Sequence, residues 1–353
     1  MPSLAPFRVA VLGASGVTGG ELIRLLLEHP SASVSFVGAE TSAGRRLAEV
    51  HPHLAASPLG DEVLGPMEPA AVAGIADAAF LALPHGASSR LAPPLVEFGL
   101  RVIDLSGDFR LPAGSYPDWY GFIHPAPAWL DKAVYGLPEL FATRIRDAAL
   151  VANPGCFPTP VVLGLAPLLR AGAIGEGAIH VDGKTGLSGA GGRVAPAMQH
   201  LAAEESVRPY RFPRHQHTPE MEHALALTGA EDVRISFVPH LVPAVRGVLV
   251  TCFARLADPD TSSERLTAIL DRAYEEAPFV RVLPPGAMVD TKRTRGANLV
   301  ELQAAADPRT GTAIVVGAID NLVKGAAGQA VQNLNLMHGL NPGTGLPAVG
   351  MYP

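Results

Sequence analysis

Asn153-Pro154-Gly155-Cys156-Phe157-Pro158-Thr159 sets a single thiol between two kinds of chain. Before it, Ala149-Leu150-Val151-Ala152 is an apolar run of strand length. After it, Thr159 to Ala171 places Val162, Leu165, Leu168 and Leu169 at helical spacing. The Pro-Gly turn therefore delivers Cys156 to the entrance of a helix, with Pro158 suited to the first helical turn. A thiol there meets the positive end of the helix, which favours the thiolate, the form that attacks carbonyl carbon. The other cysteine, Cys252, lies inside the strand-like run Val248–Ala254 and reads as a packing residue.

A thiolate nucleophile needs a proton carrier. His215-Gln216-His217-Thr218-Pro219-Glu220 is the densest histidine site in the chain. His217 stands just before Thr218-Pro219, which read as the N-cap and first position of a helix running to about Leu227. His215, His217 and His223 also suggest a metal set. Neither cysteine is near them in sequence and no H-E-x-x-H pair occurs, so no metal is expected. Gly183-Lys184-Thr185 resembles the end of a P-loop, but position 178 is Ala178 where that motif needs glycine. The strand-like Ile179-His180-Val181-Asp182 also leaves no room for the loop. Gly186-Leu187-Ser188-Gly189-Ala190-Gly191-Gly192-Arg193 is a glycine-rich loop that could hold an anion through its backbone and Arg193.

The elements that must position these residues begin with Phe7-Arg8-Val9-Ala10-Val11-Leu12, a buried-strand pattern ending in Gly13-Ala14-Ser15-Gly16-Val17-Thr18-Gly19. A helical stretch, Glu21 to Glu28, follows with Leu22, Leu25 and Leu26 on one face, stopped by Pro30. Strand, glycine turn and helix form a pyrophosphate cradle, although Ser15 stands where the usual spacing has a second glycine. A second strand, Val34–Ala39, leads into Glu40-Thr41-Ser42-Ala43-Gly44-Arg45-Arg46, the position of the adenosine ribose in dinucleotide folds. Glu40 suits a free 2′-hydroxyl, whereas Ser42, Arg45 and Arg46 suit a 2′-phosphate, and the balance of residues favours NADP. Ala78–Leu83 leads into Pro84-His85-Gly86 and a helical Ser88–Phe98. Arg101–Leu105 leads into Ser106-Gly107-Asp108-Phe109-Arg110. Such alternation predicts a doubly wound parallel sheet with its ligands at the strand C-terminal ends.

The 353 residues suit two domains, and 48% hydrophobic against 17% charged residues suits a globular enzyme. A net charge of −6 without basic runs argues against a nucleic-acid partner, and no apolar stretch reaches membrane-spanning length. Two cysteines are too few for a disulfide framework, and the first residues lack a signal pattern, so a cytoplasmic protein is expected.

In order and spacing these segments resemble the N-acetyl-gamma-glutamyl-phosphate reductase family, relatives of aspartate-semialdehyde dehydrogenase. The resemblance rests on Gly13–Gly19 with Glu21-Leu22, Asp104-Leu105-Ser106 with Asp108-Phe109-Arg110, and Tyr135-Gly136-Leu137-Pro138-Glu139. It rests also on Asn153-Pro154-Gly155-Cys156, His217 with Pro219-Glu220, and Asp320-Asn321-Leu322-Val323-Lys324-Gly325-Ala326-Ala327-Gly328-Gln329-Ala330. The resemblance implies an NADPH-dependent reductase of arginine biosynthesis that turns an acyl phosphate into an aldehyde. Cys156 would be the acylated nucleophile and His217 the acid/base. Gly13, Ser15, Gly16, Val17 and Thr18 would hold the pyrophosphate, and Ser42 with Arg45 the 2′-phosphate. Pro84 and Asn321 would lie near the nicotinamide. Arg110, with Ser188 and Gly189, would meet the substrate. Two departures stand out: Gly192 before Arg193, where the family runs Gly-Ala-Gly-Arg, and Glu204-Glu205-Ser206, where it has a Glu-Val-Asn-like stretch. Two alternatives share these motifs. One is a reductase of carrier-linked aminoadipyl phosphate, whose acidic carrier would call for a basic rim such as Arg193, Arg208, Arg211 and Arg214. The other is a non-catalytic NADP-binding sensor.

The expected fold is α/β: a Rossmann-like NADP domain over residues 1–152, then an α+β catalytic and dimerisation domain over 153–325 with a largely antiparallel sheet. Strands are expected at Val233–Val238, Gly247–Ala254, Asn298–Ala304 and Thr312–Ile319, and a helix at Ser262–Ala277. A C-terminal segment, 326–353, would carry a helix from about Ala326 to Leu340 back to the cofactor domain. One face of the second sheet would meet a partner subunit, giving a homodimer or homotetramer.

Overall fold

The computed structural model describes residues 6–190 and 205–352. These divide into two compact units, one running to Pro154 and including Ala326–Leu346, the other comprising Gly155–Gly325 with Pro347 onward.

The first unit is built on six parallel strands: β1 (Phe7–Leu12), β2 (Ala32–Gly38), β3 (Ala78–Leu81), β4 (Arg101–Asp104), β5 (Val134–Tyr135) and β6 (Leu150–Ala152), in spatial order β2-β1-β3-β4-β6-β5. All of β3, and β1 from Val9 onward, are buried. That two-sided burial explains why these strands read as continuous apolar runs rather than alternating ones. Helices α1 (Val17–Leu27), α2 (Ser88–Glu97) and α3 (Pro138–Arg146) alternate with the strands, and α1 buries Leu22, Ile23, Leu25 and Leu26.

A further helix, Gly328–Met337, comes from the far end of the chain and is buried along its whole length against α1, α3 and β4. A π-helical turn, Val323–Ala327, precedes it. Its buried amides find specific partners, as burial demands. Asn333 Nδ2 donates to the Gly136 carbonyl (2.9 Å) and to Asn153 Oδ1 (3.0 Å), and Gln332 Nε2 donates to Glu139 (3.0 Å). Asn335 Nδ2 donates to the Thr344 carbonyl (2.8 Å), while its Oδ1 lies 2.9 Å from His29 Nε2. The segment from Pro347 onward belongs to the second unit, where the Pro347 carbonyl accepts from Asn298 N (2.7 Å) and Met351 N donates to the Arg295 carbonyl (2.7 Å).

The second unit holds seven strands: β7 (Ala178–Thr185), β8 (Arg208–Pro209), β9 (Arg234–Leu241), β10 (Val248–Arg255), β11 (Val280–Val282), β12 (Val300–Asp307) and β13 (Thr312–Ile319). Their spatial order is β11-β12-β13-β10-β7-β9-β8. The central pairs are antiparallel, but β7–β9 and β11–β12 are parallel, so the sheet is mixed. Gly183-Lys184-Thr185 ends β7, and Lys184 pairs with Asp182 on the same strand. Side chains alternate across the sheet. Val181, Val250, Cys252 and Val315 are buried on the face covered by α4 (Pro158–Arg170), while Phe253, Ile314 and Val316 lie on the other, open face. Helices α5 (His217–Ala226) and α6 (Ser263–Tyr274) pack on α4, and the Tyr274 hydroxyl donates to the Leu163 carbonyl of α4 (2.6 Å).

Candidate active site

Cys156 occupies the turn immediately before α4, half-buried, with Phe157 as the helix N-cap. The Thr159 hydroxyl donates to the Gly155 carbonyl (3.0 Å), and Gly155 N donates to Glu220 Oε1 (2.7 Å). Glu220 is completely buried on α5. Its other oxygen stands 4.0 Å from His217 Nε2, one turn back on the same helix. The Phe157 ring stands edge-on to those of His217 (6.0 Å between centroids), His215 (6.2 Å) and Phe237 (5.0 Å). The cysteine turn and the histidine helix therefore form one packed cluster, with a carboxylate bonded to the first and facing the second.

Helix α5 starts at His217 rather than after Thr218. His215 supplies the missing cap: its Nδ1 accepts from His217 N (3.1 Å) and its carbonyl from Thr218 N (2.9 Å). Pro219 then falls within the first turn, where a missing N–H costs no hydrogen bond. Two further residues border this cluster, and Asn321 belongs to the same unit. Tyr210 lies 5.5 Å from the His215 ring, and its hydroxyl is pushed above the ordinary phenol range by burial and then by the charge of Cys156. Gly325 approaches so closely that a Cβ there would stand 2.8 Å from Cys156 Cβ. Asn321, also in this unit, accepts from Gly247 N (2.8 Å) and donates to Ser188 Oγ (3.0 Å), while Gly189 N donates to the Gly186 carbonyl (3.0 Å). By contrast, burial pushes the Cys252 thiol up to about 12, which leaves it protonated and inert.

In the first unit Gly13 adopts φ +88°, and a Cβ on it would meet the Ala82 carbonyl oxygen at 2.3 Å. Gly13 N and Ala14 N both donate to the Gly38 carbonyl (2.9 Å each), which fastens the loop to the end of β2. Gly16 is the N-cap of α1 and brings no side-chain acceptor, so the first-turn N–H groups at Val17 and Thr18, which have no intrahelical partner, meet no side-chain cap beside Ser15. Gly19, where a Cβ would lie 2.3 Å from the Gly13 carbonyl, lets the helix sit directly on the loop. A cavity of about 740 Å³ opens between Ala39, Glu40 and Ala43 on one side and His85, Gly86 and Arg90 on the other. Ser42, Arg45 and Arg46 are not among its lining residues. Arg45 pairs with Glu49 (3.7 Å), and Arg46 with Glu49 (3.2 Å) and Asp61 (3.4 Å).

Pro84 is exposed at the end of β3, where its carbonyl accepts from Ala87 N (3.2 Å). Arg110 is buried, with Nη2 donating to the Leu105 carbonyl (2.8 Å). Gly191, Gly192, Arg193 and Glu204 lie outside the described residues. Gly13–Thr18, Ser42, Arg45, Pro84 and Arg110 thus belong to the first unit, and Cys156, His217, Ser188, Gly189 and Asn321 to the second. Glu220 was visible in the sequence only as part of a motif. Its spacing of three residues from His217 on a helix is the signal that could have assigned it to the cluster.

The chain matches the family model for the semialdehyde dehydrogenase NAD binding domain over residues 8–148 and that for the semialdehyde dehydrogenase dimerisation domain over 156–321. N-acetyl-gamma-glutamyl-phosphate reductase of Magnetococcus marinus is 47% identical over 349 residues, 98% of this chain and 99% of that protein. The Brevibacillus brevis protein of the same name is 43% identical over 348 residues, 98% of this chain and 99% of its own. Among solved structures, aspartate semialdehyde dehydrogenase II of Vibrio cholerae superposes with a TM-score of 0.72 at 17% identity, over 95% of this chain and 99% of that one. The Candida albicans aspartate semialdehyde dehydrogenase with NADP gives 0.68, also at 17% identity, over 95% of this chain and 99% of that one. These two share the fold. With relatives this similar over nearly their whole length, the chain belongs to the N-acetyl-gamma-glutamyl-phosphate reductase family.

Proposed function

We propose that this protein reduces N-acetyl-gamma-glutamyl phosphate to N-acetylglutamate 5-semialdehyde with NADPH, releasing phosphate, as a step of arginine biosynthesis. The observation that carries the chemistry is Cys156 at the mouth of α4, its turn bonded to Glu220 and its neighbour Phe157 packed on His217. His217 takes the proton of the Cys156 thiol, and the resulting thiolate attacks the acyl carbon, forming a C–S bond as the bond to phosphate breaks. Arg110 is assigned to the departing phosphate, for which a guanidinium offers paired donors. NADPH, when bound, supplies a hydride to the thioester carbonyl. The thiohemiacetal oxyanion then collapses, expelling the aldehyde and restoring the thiolate.

The first unit suits such a cofactor: the glycine loop admits a close backbone approach, and the uncapped start of α1 offers N–H groups to a pyrophosphate. Gly13, Ser15, Gly16, Val17 and Thr18 would hold that group, Ser42 and Arg45 the 2′-phosphate, and Pro84 and Asn321 the nicotinamide. Ser188 and Gly189 are assigned to the substrate. Two observations support a cytoplasmic enzyme: both cysteines are free, and no helix among the described residues is long and apolar enough to cross a membrane. The open face of the second sheet supports assembly with further copies, as a homodimer or homotetramer.

The test runs the reaction backwards from the stable aldehyde. N-acetylglutamate semialdehyde, NADP⁺ and phosphate should yield NADPH in a phosphate-dependent reaction that Cys156→Ala slows at least about a thousandfold while NADP⁺ binding persists. Intact NADP⁺ binding without turnover of this aldehyde would overturn the substrate assignment and point to a carrier-linked acyl phosphate.

A further inference from the structure

Helix α2 begins without a cap of its own. Ala87 is its N-cap, and no side chain at that position accepts a first-turn N–H. The missing acceptor comes from beyond β4. Asp108 is completely buried, and its two oxygens divide the work: Oδ1 accepts from Gly86 N (2.7 Å) and Oδ2 from Ser89 N (2.8 Å). A carboxylate at the start of a helix also meets the positive end of its dipole. A reciprocal bond returns from the other turn, Gly107 N donating to His85 Nδ1 (2.9 Å). Asp108 is itself held, since its N–H donates to Ser106 Oγ (3.1 Å) and its carbonyl accepts from the Tyr116 hydroxyl (2.5 Å) and lies 2.8 Å from His124 Nε2.

The turn pinned in this way, His85 to Arg90, is one wall of the 740 Å³ cavity. Its opposite wall is the end of β2, where the adenosine half of a dinucleotide lies in a parallel nucleotide-binding sheet. Asp108 is not among the lining residues; it sits beneath the wall. We infer that Asp108 is a positioning residue for the cofactor, fixing the His85–Arg90 wall through the Gly86 and Ser89 amides. Cofactor affinity then depends on a carboxylate outside the cavity itself. The inference rests on the NADPH assignment above. Asparagine cannot replace Asp108, because its amide nitrogen would face one of two backbone N–H donors.

The experiment titrates NADPH fluorescence with the full-length wild type, Asp108→Asn and Leu95→Ala. Leu95 is buried farther along the same helix, so its truncation matches the stability loss without touching the turn. Asp108→Asn should raise the NADPH dissociation constant about tenfold or more, the loss of a charged hydrogen bond. It should raise KM for NADPH similarly while kcat at saturation stays within about threefold. Leu95→Ala should lower the thermal midpoint at least as much yet bind NADPH within about twofold of wild type. Wild-type affinity in Asp108→Asn, or equal weakening by Leu95→Ala, would overturn the positioning role. A wild type that binds no NADPH would overturn the cofactor assignment instead. Should Asp108→Asn fail to fold, amide exchange on the wild type decides. Gly86 and Ser89 protected like the strand amides of β4 support the role, and free-loop exchange rates at both refute it.

Discussion

Glu220 shows how much one buried carboxylate can organise. One oxygen accepts the Gly155 amide and holds the turn that carries Cys156; the other faces the His217 ring. Glu220→Gln keeps an acceptor for Gly155 N but removes the charge opposite His217. Steady-state kinetics should therefore show kcat lowered about ten- to a hundredfold with little change in KM, and an unchanged kcat would remove Glu220 from the proton machinery. At this scale the turn that carries Cys156 was legible because strand, Pro-Gly turn and helix are local patterns, whereas His217 was read just before a helix that in fact begins with it. The bond from Gly155 N to Glu220 spans 65 residues, and those from Gly86 N and Ser89 N to Asp108 span about 20. No local pattern reports such pairings.

At the scale of elements, apolar runs bounded by glycine and proline marked the strands of the first unit, since strands buried on both faces need no alternation. The order of the second sheet was less legible. Alternating strands suggest hairpins, and nothing local distinguishes the parallel β7–β9 pair, whose strands are separated by α5 and a long stretch of chain. The start of α5 shifted because a histidine ring, not the threonine, caps it.

Element ends also set how stability responds to pH. Asp104 closes β4 and is pushed up to about 7 from 3.8 by burial and by the charge of Asp108. The folded state thus keeps a proton that the unfolded chain releases. This contribution is fully present below about pH 4 and is lost as pH rises through 7. His338, just past the terminal helix, runs the opposite way. Burial and Arg101 push it down to about 4 from 6.5, so its contribution is present above pH 6.5 and is lost as pH falls through 4. Relative to wild type, Asp104→Asn should therefore gain stability between pH 4.5 and 7.5 in urea melts, and His338→Asn should lose it over the same interval. Parallel pH profiles for wild type and either variant would remove that residue from the balance.

At the scale of the whole molecule, each unit has its own sheet and core, as the length and composition lead one to expect. The open face of the second sheet aligns Phe253 with His180 on one side and Ile314 on the other, and Ala305 follows beyond Ile314. A half-apolar row of this kind fits self-association. Phe253→Asp should therefore shift sedimentation toward the monomer at micromolar concentration, leaving the thermal midpoint of each protomer little changed. An assembly that persists unchanged would place the subunit contact elsewhere.

The buried helix Gly328–Met337 has one more consequence, for synthesis on the ribosome. The first unit is the first to emerge, yet it cannot close until that helix follows. The whole of Gly155–Gly325 must be translated in between, roughly ten to thirty seconds at ordinary elongation rates. During that interval the slot awaiting the helix, with its unpaired amide partners, is open on the nascent chain, while the second unit can already complete its sheet. The first unit thus waits for a helix translated only after Gly155–Gly325, and a chaperone that shields the waiting slot would act on the first unit while the second is being made.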